Sequence, residues 1–492
     1  MILLLIAIYL ALVLSIGLFS NRLFRKTGED YFVASRTIGP FVLLMSLFGT
    51  HMTAFSLLGA SGEAYLNGIG VFGLMASSSA LMVPVVFFFI GTRLWAIGKQ
   101  HRYLTQVQFF RERWESAPLG LALFLVLAGL MVPYLLIGVM GGGITLNSMT
   151  GGEVPQWVGG LLVCAVIFTY VTLGGMRGTA WVNTFQTLVF MVLGAVTFFM
   201  IVDQYGGLTQ AMQQVREQGN AQLLVRGDKI NPWKMLTYTF IPLSVGMFPH
   251  IFMHWLSAKS ARTFRYPVMF YPLCIAIVWV PSVLLGVLGR IDFDPATTPG
   301  NAVLVEMVAR HAPGVLGGFL AAGVFAAIMS SLDSQTLALG TMFTQDIVRH
   351  YGFRDQLSER QQVLIGRLFV LGILLVTFIL AQVSARSIFK LAVWSFSGFS
   401  ALLPVAVAAL FWKRSTAAGA MAAVLSVALL WIYFFVQGWE NPGYTVGGTG
   451  VMPVAVMFAV SALMIVLVSL LTAPPSAATI GKFFPESSAD GR

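Results

Sequence analysis

GVFAAIMSSLDSQTLALGTMFTQD, residues Gly323 to Asp346, lies inside a long apolar run that reads as a membrane-spanning helix. It carries Ser330, Ser331, Asp333, Ser334 and Gln335 near mid-span. An ionisable residue at that depth is expensive and usually faces a bundle interior or a water-filled path. On a helix, Ala327, Ser330, Ser331 and Ser334 share one face through i+3 and i+4 spacing, and Asp333 flanks that stripe. Two readings follow. The stripe is a hard-oxygen surface for a cation such as Na⁺, or a polar seam joining helices. Asp333 favours the first.

The rest of the chain sets this helix in a bundle. Of 492 residues, 57% are apolar and 10% charged, which is membrane-protein composition. The apolar runs are continuous rather than alternating, which excludes a β-barrel. The formal charge of +10 resides in loops, so it reports topology and not nucleic-acid binding. Cys164 and Cys274 both lie in apolar runs and make no disulfide framework. The N-terminal MILLLIAIYLALVLSIGLF lacks a basic leader and a cleavage site, and reads as an uncleaved first span.

Thirteen spans are predicted. A leader helix covers 1–20. Ten core spans follow at 39–65, 69–96, 118–146, 156–173, 179–202, 235–257, 266–289, 313–346, 363–383 and 386–412. Two trailing spans lie at 416–437 and 450–472. With the N-terminus outside and the C-terminus inside, 21 of the 29 lysines and arginines fall on inner segments, as the positive-inside rule requires. The external segment 291–312 has room for a small helix. The tail, 473–492, is polar and is expected to lack order on the cytoplasmic side. No nucleophile set, metal cluster, phosphate loop or soluble catalytic domain is evident.

Two core spans carry helix-breaking features. The first has Gly49 at mid-span, followed by Thr50, His51, Met52 and Thr53. An unwound helix there frees carbonyls that a cation can satisfy, although glycine also serves close packing. Glu63 reads as a wetted mouth residue. The sixth has Pro242, Gly246 and Pro249, with His250 and His254 at i, i+4, and a break near 246–249 is predicted. No glutamate completes a metalloprotease motif, so substrate contact, proton handling or a helix-to-helix hydrogen bond is the better role for these histidines. Interrupted helices at positions one and six of ten point to a transporter site between two inverted repeats, 39–202 and 235–412. Asn183 and Gln186 are uncompensated polar residues in the fifth core span. Ser395, Ser397, Gly398 and Ser400 mark a polar segment of the tenth. Structural roles are equally open for these last two groups.

These motifs resemble the sodium:solute symporter family of sodium/proline, sodium/pantothenate and sodium/glucose cotransporter type. The resemblance runs from DYFVASRTIGPF (30–41) to FWKR (411–414). GGMRGTAWVNTFQ (174–186) and AAIMSSLDSQ (326–335) are its most specific pieces. It implies an all-α LeuT-like fold of five plus five inverted helices, with one leader and two trailing helices, as a single transporter domain over 1–472. It implies a sodium site made by the carbonyls of Gly49, Met52 and Ala327 and the hydroxyls of Ser330 and Ser331.

The chain departs from the family at two places. Members with a second sodium site carry aspartate where this chain has Asn183, paired with hydroxyl residues where it has Asp333 and Ser334. These three residues are therefore a candidate second cation or proton site. His51 stands where the proline transporters carry aspartate and the sugar transporters asparagine.

The expected activity is Na⁺-coupled import of a small organic solute across a bacterial inner membrane, and not an enzyme's. Na⁺ is the coupling ion, and no organic cofactor is expected. The partners are the solute and membrane lipid, with no nucleic acid and no obligate protein partner. Candidate substrate contacts are His51, Thr53, Phe55, Gly246, His250, His254, Ser395 and Ser397. SGEAYLNGIGVFGL looks closer to pantothenate or monocarboxylate carriers than to sugar carriers, so an organic anion is expected, with an amino acid as the alternative. A solute sensor acting with a separate signalling partner is a third reading.

Overall fold

A computed structural model describes residues 2–20, 28–312, 314–352, 358–384, 387–441 and 443–484. The described residues form helices throughout, and their one strand-type contact is an isolated parallel bridge between Ile38 and Ala258. The expected inner loop at 21–27 and the tail at 485–492 lie outside the described residues.

The leader is Ile2–Ser20. The first core span is a bent pair, Pro40–His51 and Phe55–Asn67, with 58° between the halves. The sixth is a second bent pair, Pro232–Gly246 and Pro249–Ser257, at 51°. Between them lie Gly70–Gln100, Ala117–Met149 and the 49-residue Gln156–Gln204. A straight helix of that length would run about 73 Å, more than twice the ~30 Å hydrocarbon core. It bends at Gly175, where φ is 54° and ψ is −155°, so it supplies both the fourth and the fifth core spans. A Cβ on Gly175 would meet the Tyr31 carbonyl oxygen at 2.7 Å, so only glycine fits this turn. The seventh to tenth core spans are Ala261–Asp292, Val315–Gly352, Arg360–Val383 and Ile388–Phe411, and the trailing pair is Ala417–Trp439 and Pro453–Leu471. With the long helix counted twice and each bent pair once, the spans among the described residues number thirteen, as expected from the hydropathy pattern.

The eighth core span lies at the centre. Of its most apolar stretch 83% is buried, against 17% for the ninth, which lies at the periphery. Its polar residues from Ser330 to Gln335 are all buried. The external segment holds the helix Val303–His311.

The end of the bundle expected on the cytoplasmic side is tied at several points. Arg111 pairs with Asp346 at 3.1 Å and Arg177 with Asp30 at 2.6 Å. Arg36 donates to the carbonyls of Leu256 (3.1 Å) and Tyr103 (2.8 Å). The backbone here is unusual: Ala34, Ser35 and Arg36 are consecutive non-glycine residues with φ of 51°, 49° and 54°.

Part of the tail is ordered, contrary to expectation. Ala477–Phe483 is helical, capped by Ser476, and Phe483 and Phe484 are buried. This helix sits on the loop helix Gln106–Arg113 through Lys482–Glu112 (2.6 Å) and the Phe484–Arg113 cation–π contact (5.1 Å). Two aromatic rings and a paired ammonium gave it a docking face that its Ser/Ala/Pro-rich composition hid.

Candidate functional site

The helix of the first core span continues through Gly49 and ends at His51, and the chain becomes extended at Met52 (φ −85°, ψ 94°). The break therefore falls at Met52–Ala54, three residues beyond the glycine. Thr53 restarts the helix: its Oγ1 accepts from the Phe55 amide at 2.9 Å. Gly49 is a glycine because the fifth span passes close by. A Cβ there would lie 2.2 Å from Thr187 Oγ1 and 3.2 Å from the Asn183 carbonyl oxygen. Both sequence readings of Gly49, close packing and carbonyls freed by a nearby break, describe the same residue.

The freed carbonyl meets the eighth span. Ser330 Oγ donates to the Gly49 carbonyl at 2.9 Å and lies 3.2 Å from that of Ala327. Ser331 Oγ turns to the Ile328 carbonyl of its own helix at 3.1 Å. Met52 lies in the break itself, and its Sδ accepts from Trp279 Nε1 at 3.1 Å. Gly49 and Ala327 are thus both in contact with Ser330, with Ser331 next to Ser330 in sequence and Met52 three residues beyond Gly49. All five are buried.

A second cluster lies on the other flank of the eighth span. Tyr170 donates to Asp333 Oδ2 at 2.9 Å, and Ser334 Oγ donates to Oδ1 at 3.0 Å. Asn183 Nδ2 donates to Ser334 Oγ at 2.8 Å, and its Oδ1 is buried without a partner. Asp333 itself is fully buried, and no ion pair to it is found among the described residues. The cluster is an all-oxygen acceptor set with one carboxylate, the chemistry of a hard cation or a proton. The three residues singled out from sequence are together. Tyr170 was missed, because a tyrosine in an apolar run gives the same signal as an interface residue.

The substrate candidates divide. His51 Nδ1 is hydrogen-bonded to the Tyr271 hydroxyl of the seventh span. His250 stacks on Phe248 (ring centroids 5.1 Å) and meets Tyr134 edge-on at 5.6 Å. Phe55 packs against Trp279, Phe389 and Phe396 at 5.3–5.6 Å. Tyr134 and Phe248 both touch Phe396, so these rings form one aromatic centre between the two broken spans. His254 Nδ1 bonds back to the His250 carbonyl at 2.9 Å.

The other candidates are held elsewhere. Thr53 is the cap described above. A Cβ on Gly246 would lie 2.5 Å from Leu403 Cδ1, a packing contact. Ser395 Oγ locks the tenth span to the Leu130 carbonyl of the third at 2.8 Å. Ser397 bonds to Val393 in its own helix and lines an outer cavity with Glu63, Lys234, Tyr238 and Lys390. Tyr134, Phe248, Tyr271 and Gln335 line or adjoin the centre and were not anticipated as substrate contacts. The PH pair at 249–250 was the one local signal near them.

The model of the sodium:solute symporter family matches residues 31–426. The osmoregulated proline transporter OpuE of Bacillus subtilis is 25% identical, over 97% of this chain and 96% of its own length. The sodium/pantothenate symporter of Escherichia coli is 26% identical, over 86% of this chain and 88% of its own. A Na⁺-coupled sialic acid symporter, solved in a substrate-bound outward-open state, superposes with a TM-score of 0.80 at 15% identity, covering 96% of this chain and 98% of the other.

Proposed function

Since the chain belongs to the sodium:solute symporter family and has a LeuT-like transporter fold, we propose that it is a sodium-coupled secondary active symporter. It imports a small organic solute by alternating access between repeats 39–202 and 235–412. The observation that carries this reading is the Ser330 hydroxyl bound to the Gly49 carbonyl across the break. Na⁺ taken up there, by the carbonyls of Gly49, Met52 and Ala327 and the hydroxyls of Ser330 and Ser331, bridges the first and eighth spans. It binds well only when those spans are close, which favours the arrangement that accepts solute.

One Na⁺ moving inward releases about 2.3 kcal/mol per 100 mV and about 1.4 kcal/mol for a tenfold gradient. Together these concentrate a neutral solute several-hundred-fold, by the usual ~1.4 kcal/mol per decade. Asp333, Ser334 and Asn183, with Tyr170, form a second cation or proton site. The solute is an organic anion of the monocarboxylate or pantothenate type. A second reading, a proline-like amino acid, is favoured by the proline-transporting relatives. The bacterial relatives support an inner-membrane location.

The test is solute uptake into proteoliposomes with and without an inward Na⁺ gradient. Accumulation that collapses without the gradient supports symport. Binding without accumulation would instead identify a sensor.

A further inference from the structure

Three side chains of the aromatic centre carry buried polar atoms without hydrogen-bond partners. They are the Tyr134 hydroxyl, both ring nitrogens of His250, and both amide atoms of Gln335. Each residue is only 1% exposed. Gln335 stands beside the Tyr134 hydroxyl without completing a hydrogen bond to it, and the Tyr134 ring is 5.6 Å from that of His250. Buried polar atoms are nearly always paired, because leaving them unpaired forfeits hydration. Five such atoms converging from the third, sixth and eighth spans mark a place built for a polar guest.

Their chemistry specifies the guest. Tyr134, neutral His250 and the Gln335 amide offer donors, while Gln335 Oε1 and the second His250 nitrogen offer acceptors. His250 is also the second residue of the half-helix Pro249–Ser257. The leading amides of a helix lack intrahelical acceptors and carry partial positive charge. A carboxylate therefore fits at this end. The set itself contains no lysine or arginine, so a group of two or more negative charges would go uncompensated. The remaining acceptors need a donor from the same guest, close to its carboxylate. Phe248 and Phe396, in edge contact with ring centroids 5.2 Å apart, present an apolar face beside these polar atoms that suits a compact carbon body.

We infer that the solute is a small monocarboxylic acid with an N–H or O–H donor adjacent to its carboxylate, an amino or hydroxy acid, read by Tyr134, His250 and Gln335. This rests on the symporter reading and narrows it: an acid without that donor, or an amide without the carboxylate, is refused.

The experiment is thermal stabilisation of the purified full chain by L-proline, L-lactate, propionate and L-prolinamide, titrated with and without Na⁺. Proline or lactate is expected to stabilise with Na⁺ present, and the pair distinguishes amine from hydroxyl. Propionate and prolinamide are expected to bind at least tenfold more weakly. Tyr134→Phe and Gln335→Leu should each weaken the accepted acid tenfold or more, and the stabilisation each variant gains from Na⁺ alone reports its folding. Propionate binding within threefold of the better acid overturns the inference. So does wild-type affinity in both variants, or a response to Na⁺ with none of the four compounds bound. Failure of the symporter reading looks different: the ranking of acids persists but is indifferent to Na⁺.

Discussion

Ser330 holds two spans together through one hydroxyl, and on the proposed sodium site its removal is expected to separate sodium affinity from solute choice. Ser330→Ala is expected to raise the Na⁺ concentration for half-maximal uptake about fivefold, the worth of about 1 kcal/mol for one buried hydrogen bond, with solute ranking unchanged. Sodium titrations of uptake at fixed solute would check it. Asp333→Asn keeps the shape of its cluster and removes the charge. The Hill coefficient for Na⁺ should then fall toward one, or the pH dependence of uptake should disappear. A variant with both unchanged would rule out a coupling role for Asp333.

The serine stripe and Asp333 were legible because polar residues are conspicuous in an apolar helix. Gly49 was legible as a packing glycine or a helix breaker, but sequence could not tell which. Tyr134, Tyr170 and Gln335 were harder. A lone tyrosine in an apolar run has no period to expose it, and Gln335 reads as one more member of a polar stretch. Only the convergence of three spans distinguishes them.

Among the elements, the two broken spans were found where glycine and proline interrupt the pattern. The first break was displaced by three residues, because Gly49 is reserved for the close pass of Thr187 and Thr53 supplies the new cap. Gly49→Ala drives a methyl into Thr187 and is expected to destabilise by about 1–3 kcal/mol, read as a lower melting temperature with or without Na⁺.

The C-terminal helix was illegible, since its stability comes from docking rather than from composition. Burial alone would raise the Glu112 carboxyl, but the Lys482 ammonium, the Tyr103 hydroxyl and the Gln108 amide hold it below the ordinary glutamate value of 4.5. A carboxyl depressed in the folded state contributes stability above its unfolded value and loses it as pH falls through the folded one. Proteolysis of Ala477–Phe483 should therefore accelerate below pH 4.5, and Lys482→Ala should bring that susceptibility to neutral pH.

At the scale of the molecule, the span count is odd, as the orientation expected from the charge bias needs, because the long fourth-to-fifth helix turns at a glycine that the sequence brackets between 173 and 179. The resulting orientation is open to labelling. Cys164 and Cys274 are buried and give little background. Thr297→Cys should react with an impermeant maleimide added to intact cells, and Ala478→Cys only after the membrane is opened.

At the end of the bundle that the charge bias assigns to the inside, Ala34, Ser35 and Arg36 form a turn with every φ in the left-handed region. Each such residue costs about 1–2 kcal/mol relative to a right-handed one. Contacts to neighbouring elements hold the turn: Arg177 Nη2 to the Ala34 carbonyl at 3.2 Å, and Arg36 to Leu256 and Tyr103. The turn is thus a loaded spring with a latch. Once those contacts part, relaxation of the turn gives back that backbone energy, so this segment is the one that loss of Arg36 or Arg177 would free first.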